Sequence, residues 1–212
     1  MATSRRSRRK GGSYHHGDLR EALLMAALKV VRERGSESLS LREVAREAGV
    51  THAAPYHHFK DRADLLAAVA TAGFVGIRDA MFAAGTENLD PVGKFRARGI
   101  AYVDFALSNP ALFRVMFGAE ASAKSEYPGL AKAFQEAFEM MLEVIEEAQA
   151  AGAIWLGPKE NFAVAAWSVV HGLSTLLMNG QMENTALHGK STRELAEIVT
   201  GVLFLGMVRR DQ

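Results

Sequence analysis

A chain of 212 residues, 49% of them hydrophobic, is long enough to bury a core as one domain or two small ones. It has no cysteine, which excludes disulfides and thiolate metal sites and fits a cytoplasmic protein. The net charge is only +1, but Arg5, Arg6, Arg8, Arg9 and Lys10 crowd the first ten residues, and without them 20 basic residues face 24 acidic ones.

That N-terminal run carries no acid before Asp18 and no apolar stretch follows it, so it does not read as a signal peptide. Its composition predicts a disordered basic arm over residues 1–14. Such an arm neutralises phosphates and makes DNA affinity depend on salt. Asp18 and Glu21 have capping-box spacing, and Leu19, Ala22, Leu23, Ala26, Val30 and Val31 follow with helical periodicity up to Gly35.

Ser40 and Glu43 repeat the capping-box pattern. Leu41, Val44, Ala45 and Ala48 then give a short helix one apolar face, and Gly49 ends it in the left-handed conformation. Val50 plugs the corner. Thr51 caps a second helix running to about Phe59, with Tyr56 and Phe59 on its apolar side and Pro55 in its first turn. Ala53 and Ala54 are small enough for close approach to DNA, while His52, Tyr56, His57 and His58 offer hydrogen bonds to phosphates or base edges. Two short helices around a glycine turn, with a polar face left over, are how a protein presents a helix to the major groove.

Asp61 opens a long connecting helix with Leu65, Leu66 and Val69 inward. Asp90-Pro91 and Asn109-Pro110 start two more, which end near Ser108 and Gly118. Pro128 begins a helix with Phe134, Phe138, Met141 and Ile145 on one side and glutamates on the rest. A further helix covers Lys159 to Met178, and Ser191 with Glu194 caps the last. The most apolar run, Phe162 to Met178, reads as too short and too polar for a membrane span. No strand alternation, phosphate loop, cofactor fingerprint or nucleophile–base pair appears, so neither an enzyme nor a cofactor is expected. The fold class is all-α, with about nine helices.

Residues Ala45, Gly49, Val50, Thr51, Tyr56, His58 and Phe59, continued by Leu65-Leu66, resemble the helix-turn-helix core of the TetR family of transcriptional regulators. Ala101 to Phe117, with Trp167, His171 and Gly172, resemble the family's WHG-type ligand-binding domain. Pro55 stands where that pattern often has Leu, and Ala54 where it often has Thr. The resemblance implies a helix-turn-helix DNA-binding domain over residues 15–60 and a ligand-binding and dimerisation domain over 61–212. It implies a homodimer joined by its last two helices, a palindromic double-stranded DNA operator, and a small-molecule effector that releases a repressor. Carried over by position, Arg42 and His52 read bases. Thr51, Ala53 and His57 lie on the recognition helix and its cap, and Tyr56, His58, Lys60 and Arg62 hold the DNA backbone. Candidate effector contacts are Tyr102, Phe105, Phe113, Met116, Phe117, Phe138, Met141, Trp167 and His171, a set that core packing explains equally well. Two other classes are set against this reading. A metal-responsive sensor would use His15-His16 or His57-His58, but adjacent helical residues diverge by about 100°. A helical module meeting a membrane would need apolar residues that the arm lacks.

Overall fold

The computed structural model describes residues 16–86, 88–118, 126–183 and 185–207. Its helix starts follow side-chain chemistry. Helix α1 is His16–Arg34, and Asp18 lies within it. Helix α2 is Leu41–Glu47, where Ser40 Oγ accepts the Glu43 N–H at 3.1 Å. Only half of the expected capping box forms there, because the Glu43 carboxylate takes Arg34 and Arg46 instead. Helix α3, Arg62–Ala84, is capped by Asp61 Oδ1 on the Asp64 N–H at 2.9 Å. Helix α4, Pro91–Ser108, is capped by Asp90 Oδ1 on the Gly93 N–H at 2.7 Å. Asn109 donates its amide to the Phe105 carbonyl at 3.0 Å, so it closes α4 while Pro110 opens α5, Pro110–Phe117.

Helices α6, Pro128–Ala150, and α7, Lys159–Met178, follow. Helix α8, Thr192–Met207, has the complete box: Ser191 N–H to Glu194 Oε2 at 2.7 Å and Glu194 N–H to Ser191 Oγ at 3.2 Å. The described residues thus hold eight α-helices and no β-strand, one helix fewer than the sequence count. The missing one is the second helix of the helix-turn-helix, which is a 3-10 turn, Ala54–His57. Pro55 has no N–H to give the Thr51 carbonyl, which instead receives the Ala54 N–H at 3.0 Å. The tighter pattern continues with Tyr56 N–H to Ala53 O and His58 N–H to Pro55 O.

Val30, Val31, Leu41, Val44, Phe59 and Leu65 are buried in one core between α1, α2 and the start of α3. Helix α3 leaves that core and buries Phe74, Ile77 and Met81 against α4, α5 and α6. Helix α5 packs on both α1 and α3. A smaller cluster around Phe95, Val144, Ile145 and Met207 closes the far end.

Helices α3 and α7 are long and apolar enough, by length and composition alone, to cross a membrane, with mean hydropathies of 1.5 and 1.3. At 20 residues α7 exceeds the run read from the sequence. Half of the apolar stretch of α3 is buried inside the protein, against 28% for α7, on which Val164 and Leu176 are exposed.

Candidate DNA interface and interior chambers

The turn after α2 is set by backbone geometry. Gly49 has φ +68°, the Val50 N–H reaches the Ala45 carbonyl at 3.0 Å, and the Gly49 N–H reaches Arg46 O at 3.2 Å. This double closure is a Schellman motif, and it turns the chain from α2 into the 3-10 turn. Pro55 and Phe59 are buried beneath it, with the Arg20 guanidinium 5.3 Å from the Phe59 ring centre. Tyr56 is 55% exposed, so it does not share an apolar side with Phe59 as its spacing suggested. The 3-10 turn ends at His57, and the two rings no longer stand on one helix face.

Thr51, His52, Ala53, Tyr56 and His57 form an exposed run on this scaffold, with His58 half-buried. Arg42, in the first turn of α2, and Lys60 are exposed as well. The turn starts at Ala54 with no side-chain cap, so Thr51 contributes its carbonyl and does not cap a helix. Arg62 is exposed too, and it also serves the scaffold. Its Nε and one terminal nitrogen donate to the Leu39 and Ser36 carbonyls, both at 3.0 Å, which pins the α1–α2 link to α3. Lys29–Glu47 at 2.6 Å, Arg34–Glu47 at 2.9 Å and an Arg34–Glu43 pair tie α1 to α2. The Arg46 bond holds the Glu43 carboxyl below its ordinary range, and the Lys29 bond does so for Glu47.

The other end of α3 walls two interior chambers. The first is ringed by Phe74, Phe117, Phe134, Phe138 and Trp167. Phe74–Phe117 at 5.3 Å and Phe134–Trp167 at 5.8 Å meet edge to face, and Phe134 stacks on Phe138. The second lies between Phe95, Arg98, Val144, Thr200 and Leu203. Met81, Tyr102 and Met141 line both and partition them. The chambers are narrow, with room for a water or two, so a larger occupant must displace side chains.

Of the nine expected effector contacts, Tyr102, Phe117, Phe138, Met141 and Trp167 line these chambers. Phe105, Phe113, Met116 and His171 do not. Phe105 lies against Gly76, and Met116 is fully buried over Gly73. Phe113 stacks on His171 with ring centres 5.2 Å apart. His171 Nδ1 lies 2.9 Å from the Tyr102 hydroxyl, which also accepts the Trp167 Nε1–H at 3.1 Å. A hydroxyl that accepts from Trp167 has its own proton to give His171, which makes Nδ1 the acceptor and Nε2 the protonated nitrogen. Burial agrees with a neutral ring by pushing the His171 pKa down, and it pushes that of Tyr102 up. Sequence reasoning missed Phe74, Ile77 and Met81, whose helix read as a connector, and did not single out Arg98. Among the described residues no three His, Asp or Glu gather where they could hold a metal ion. His15 and the basic arm lie outside the described residues.

Residues 23–69 match the family model described as bacterial regulatory proteins of the tetR family. Residues 95–202 match the tetracyclin repressor-like C-terminal domain. The chain is 42% identical over 52 residues to the HTH-type transcriptional regulator AcrR of Shigella flexneri, covering 24% of this chain and 24% of that protein. It therefore spans about a quarter of the length of the curated relatives it matches. A solved protein of unknown function from Rhodococcus sp. RHA1 is 33% identical, covers 94% of this chain and 100% of its own, and superposes with a TM-score of 0.79. A bacterial regulatory protein in the tetR family from Rhodococcus RHA1 shares the fold at 20% identity and a TM-score of 0.66, over 91% of this chain and 98% of its own.

Proposed function

The chain belongs to the TetR family of transcriptional regulators, and from that premise we propose that it is a dimeric, effector-released repressor. One observation carries the effector reading. Helix α5 gives Phe117 to a chamber wall and also packs on α1, inside the DNA-binding domain. An occupant that pushes Phe117 aside shifts α5, and through it the angle at which the turn 51–57 meets DNA.

Arg42 and His52 read base edges. Tyr56, His57, His58 and Lys60 hold phosphates, and Thr51 and Ala53 let the backbone come close. Arg62 supports the scaffold, for the hydrogen-bonding reason given above. Two copies set their turns in successive major grooves, about 34–36 Å apart, on a near-palindromic operator. The effector weakens DNA binding only as far as it prefers the form with a different spacing.

Selection of bound sequences from a random DNA pool at near-physiological salt tests the DNA half. The expected product is a palindrome whose preference weakens at a defined base pair in Arg42→Ala or His52→Ala. Enrichment of no sequence would overturn it. The effector half is tested by titrating small molecules into the operator complex, and an operator affinity that no chamber-binding compound changes would overturn that part.

A further inference from the structure

Arg98 in α4 is out of keeping with its surroundings. The nearby cations Arg78 and Lys94 are paired, with Glu136 at 2.5 Å and Glu147 at 2.9 Å. Arg98 forms no ion pair with any described residue. One terminal nitrogen donates to the Met140 carbonyl at 2.6 Å, and its Nε is buried with no hydrogen-bond partner. Space is kept for this head group: a Cβ on Gly85 would stand 2.8 Å from Arg98 Nε. Gly85 has φ −95°, so backbone conformation does not require a glycine there.

The guanidinium borders the second chamber, whose other walls are mostly apolar. The polar groups that share those walls are committed elsewhere. The Tyr102 hydroxyl serves Trp167 and His171, and the Thr200 hydroxyl donates to the Ala196 carbonyl at 2.7 Å. Arg98 is half-buried, and a cation partly shielded from water and without a counter-ion gains from an anion that reaches it. A carboxylate in the chamber supplies that anion through the terminal nitrogens, while Nε faces Gly85, which does not line the chamber, and stays outside the pairing.

We propose that the effector is an apolar monocarboxylic acid whose carboxylate is gripped by Arg98 in the second chamber and whose body reaches into the aromatic first chamber. This rests on the effector-binding reading above. The charge count selects a single negative charge: among the described residues no second cation lines either chamber, so a phosphate dianion or a dicarboxylate would bury a charge without a partner. The partition suits a body that crosses it, since Met81 and Met141 are unbranched and swing aside with little strain.

The test is calorimetric titration of the full chain with decanoate, 1-decanol and decylamine, repeated on the operator complex. Decanoate is expected to bind at least about tenfold more tightly than decanol, the scale set by a charge-assisted pair, with decylamine weakest. Arg98→Met is expected to abolish the preference for the acid while decanol still binds, and Arg98→Lys to keep part of it. Gly85→Ala, which crowds the guanidinium, is expected to weaken decanoate and spare decanol. Equal affinity for acid and alcohol in the unaltered protein overturns the proposal, as does an acid preference that survives Arg98→Met, or binding of none of the three. The operator arm separates this failure from that of the wider reading. Decanoate held through Arg98 with operator affinity unchanged removes the effector role and leaves the carboxylate site. Release by decanol without acid preference does the reverse.

Discussion

Tyr102 shows how a single hydroxyl fixes the identity of its neighbours. It accepts from Trp167 and donates to His171, so both polar rings of α7 are satisfied inside an aromatic wall. Replacing it in Tyr102→Phe leaves a buried indole N–H and an imidazole nitrogen without partners, which costs about 1–3 kcal/mol in urea unfolding. The same geometry predicts a pH response. Burial lowers the pKa of His171, so the unfolded chain takes up a proton near the ordinary histidine value that the folded ring refuses. Stability therefore falls as pH drops through that value and is retained above it. Between pH 7.5 and 5.5 the urea midpoint of the unaltered protein is expected to fall further than that of His171→Gln. Equal slopes would mean that His171 is not held neutral.

At the scale of elements, two glycines of similar surroundings have opposite consequences. A Cβ at Gly49 or at Gly129 meets nothing within 4 Å, so packing does not distinguish them. Gly49 has φ +68° in the turn between α2 and the 3-10 turn, where Gly49→Ala costs about 1–2 kcal/mol of backbone strain. Gly129 lies in the first turn of α6 with ordinary helical geometry, and Gly129→Ala stabilises by about 0.4–1 kcal/mol. Thermal unfolding of the pair should show the two signs, and operator affinity should drop only in Gly49→Ala. Equal signs would sink the backbone account. Features fixed by local chemistry were legible in the sequence: the caps at Ser40, Asp61, Asp90 and Ser191, the glycine turn, and the apolar faces of α1, α2 and α6. The 3-10 turn was not, although its cause, Pro55, was in plain view, because a proline in the first turn of an α-helix costs little and reads as harmless. The chambers were half legible. Aromatic spacing found Phe117, Phe138 and Trp167, whereas Arg98 and Phe74 reach the chambers through packing between helices distant in sequence.

At the scale of the whole molecule, the unanswered surface is on α7 and α8. Val164 and Leu176 on α7, and Ile198, Val202 and Leu205 on α8, are all exposed, Val202 at 65% and Leu205 at 67%. The three on α8 recur at i, i+4 and i+7, one continuous stripe, and α7 packs beside it. Apolar residues gathered on two adjacent helices mark an interaction surface in a soluble protein. A second copy of the chain related by a two-fold axis would bury the same stripe on both partners. It would also place two DNA-reading turns for a palindrome, which one copy cannot read. The double variant Val202→Glu, Leu205→Glu puts four carboxylates into that contact in the dimer and none into the core of the subunit. Sedimentation should then find a monomer of unchanged helix content, and operator affinity at near-physiological salt should fall by orders of magnitude. Non-specific, salt-sensitive DNA binding should persist, since phosphate contacts need no partner subunit. A dimer that survives both glutamates would place the interface elsewhere, and the two-fold reading of the operator would have to be rebuilt from that other surface.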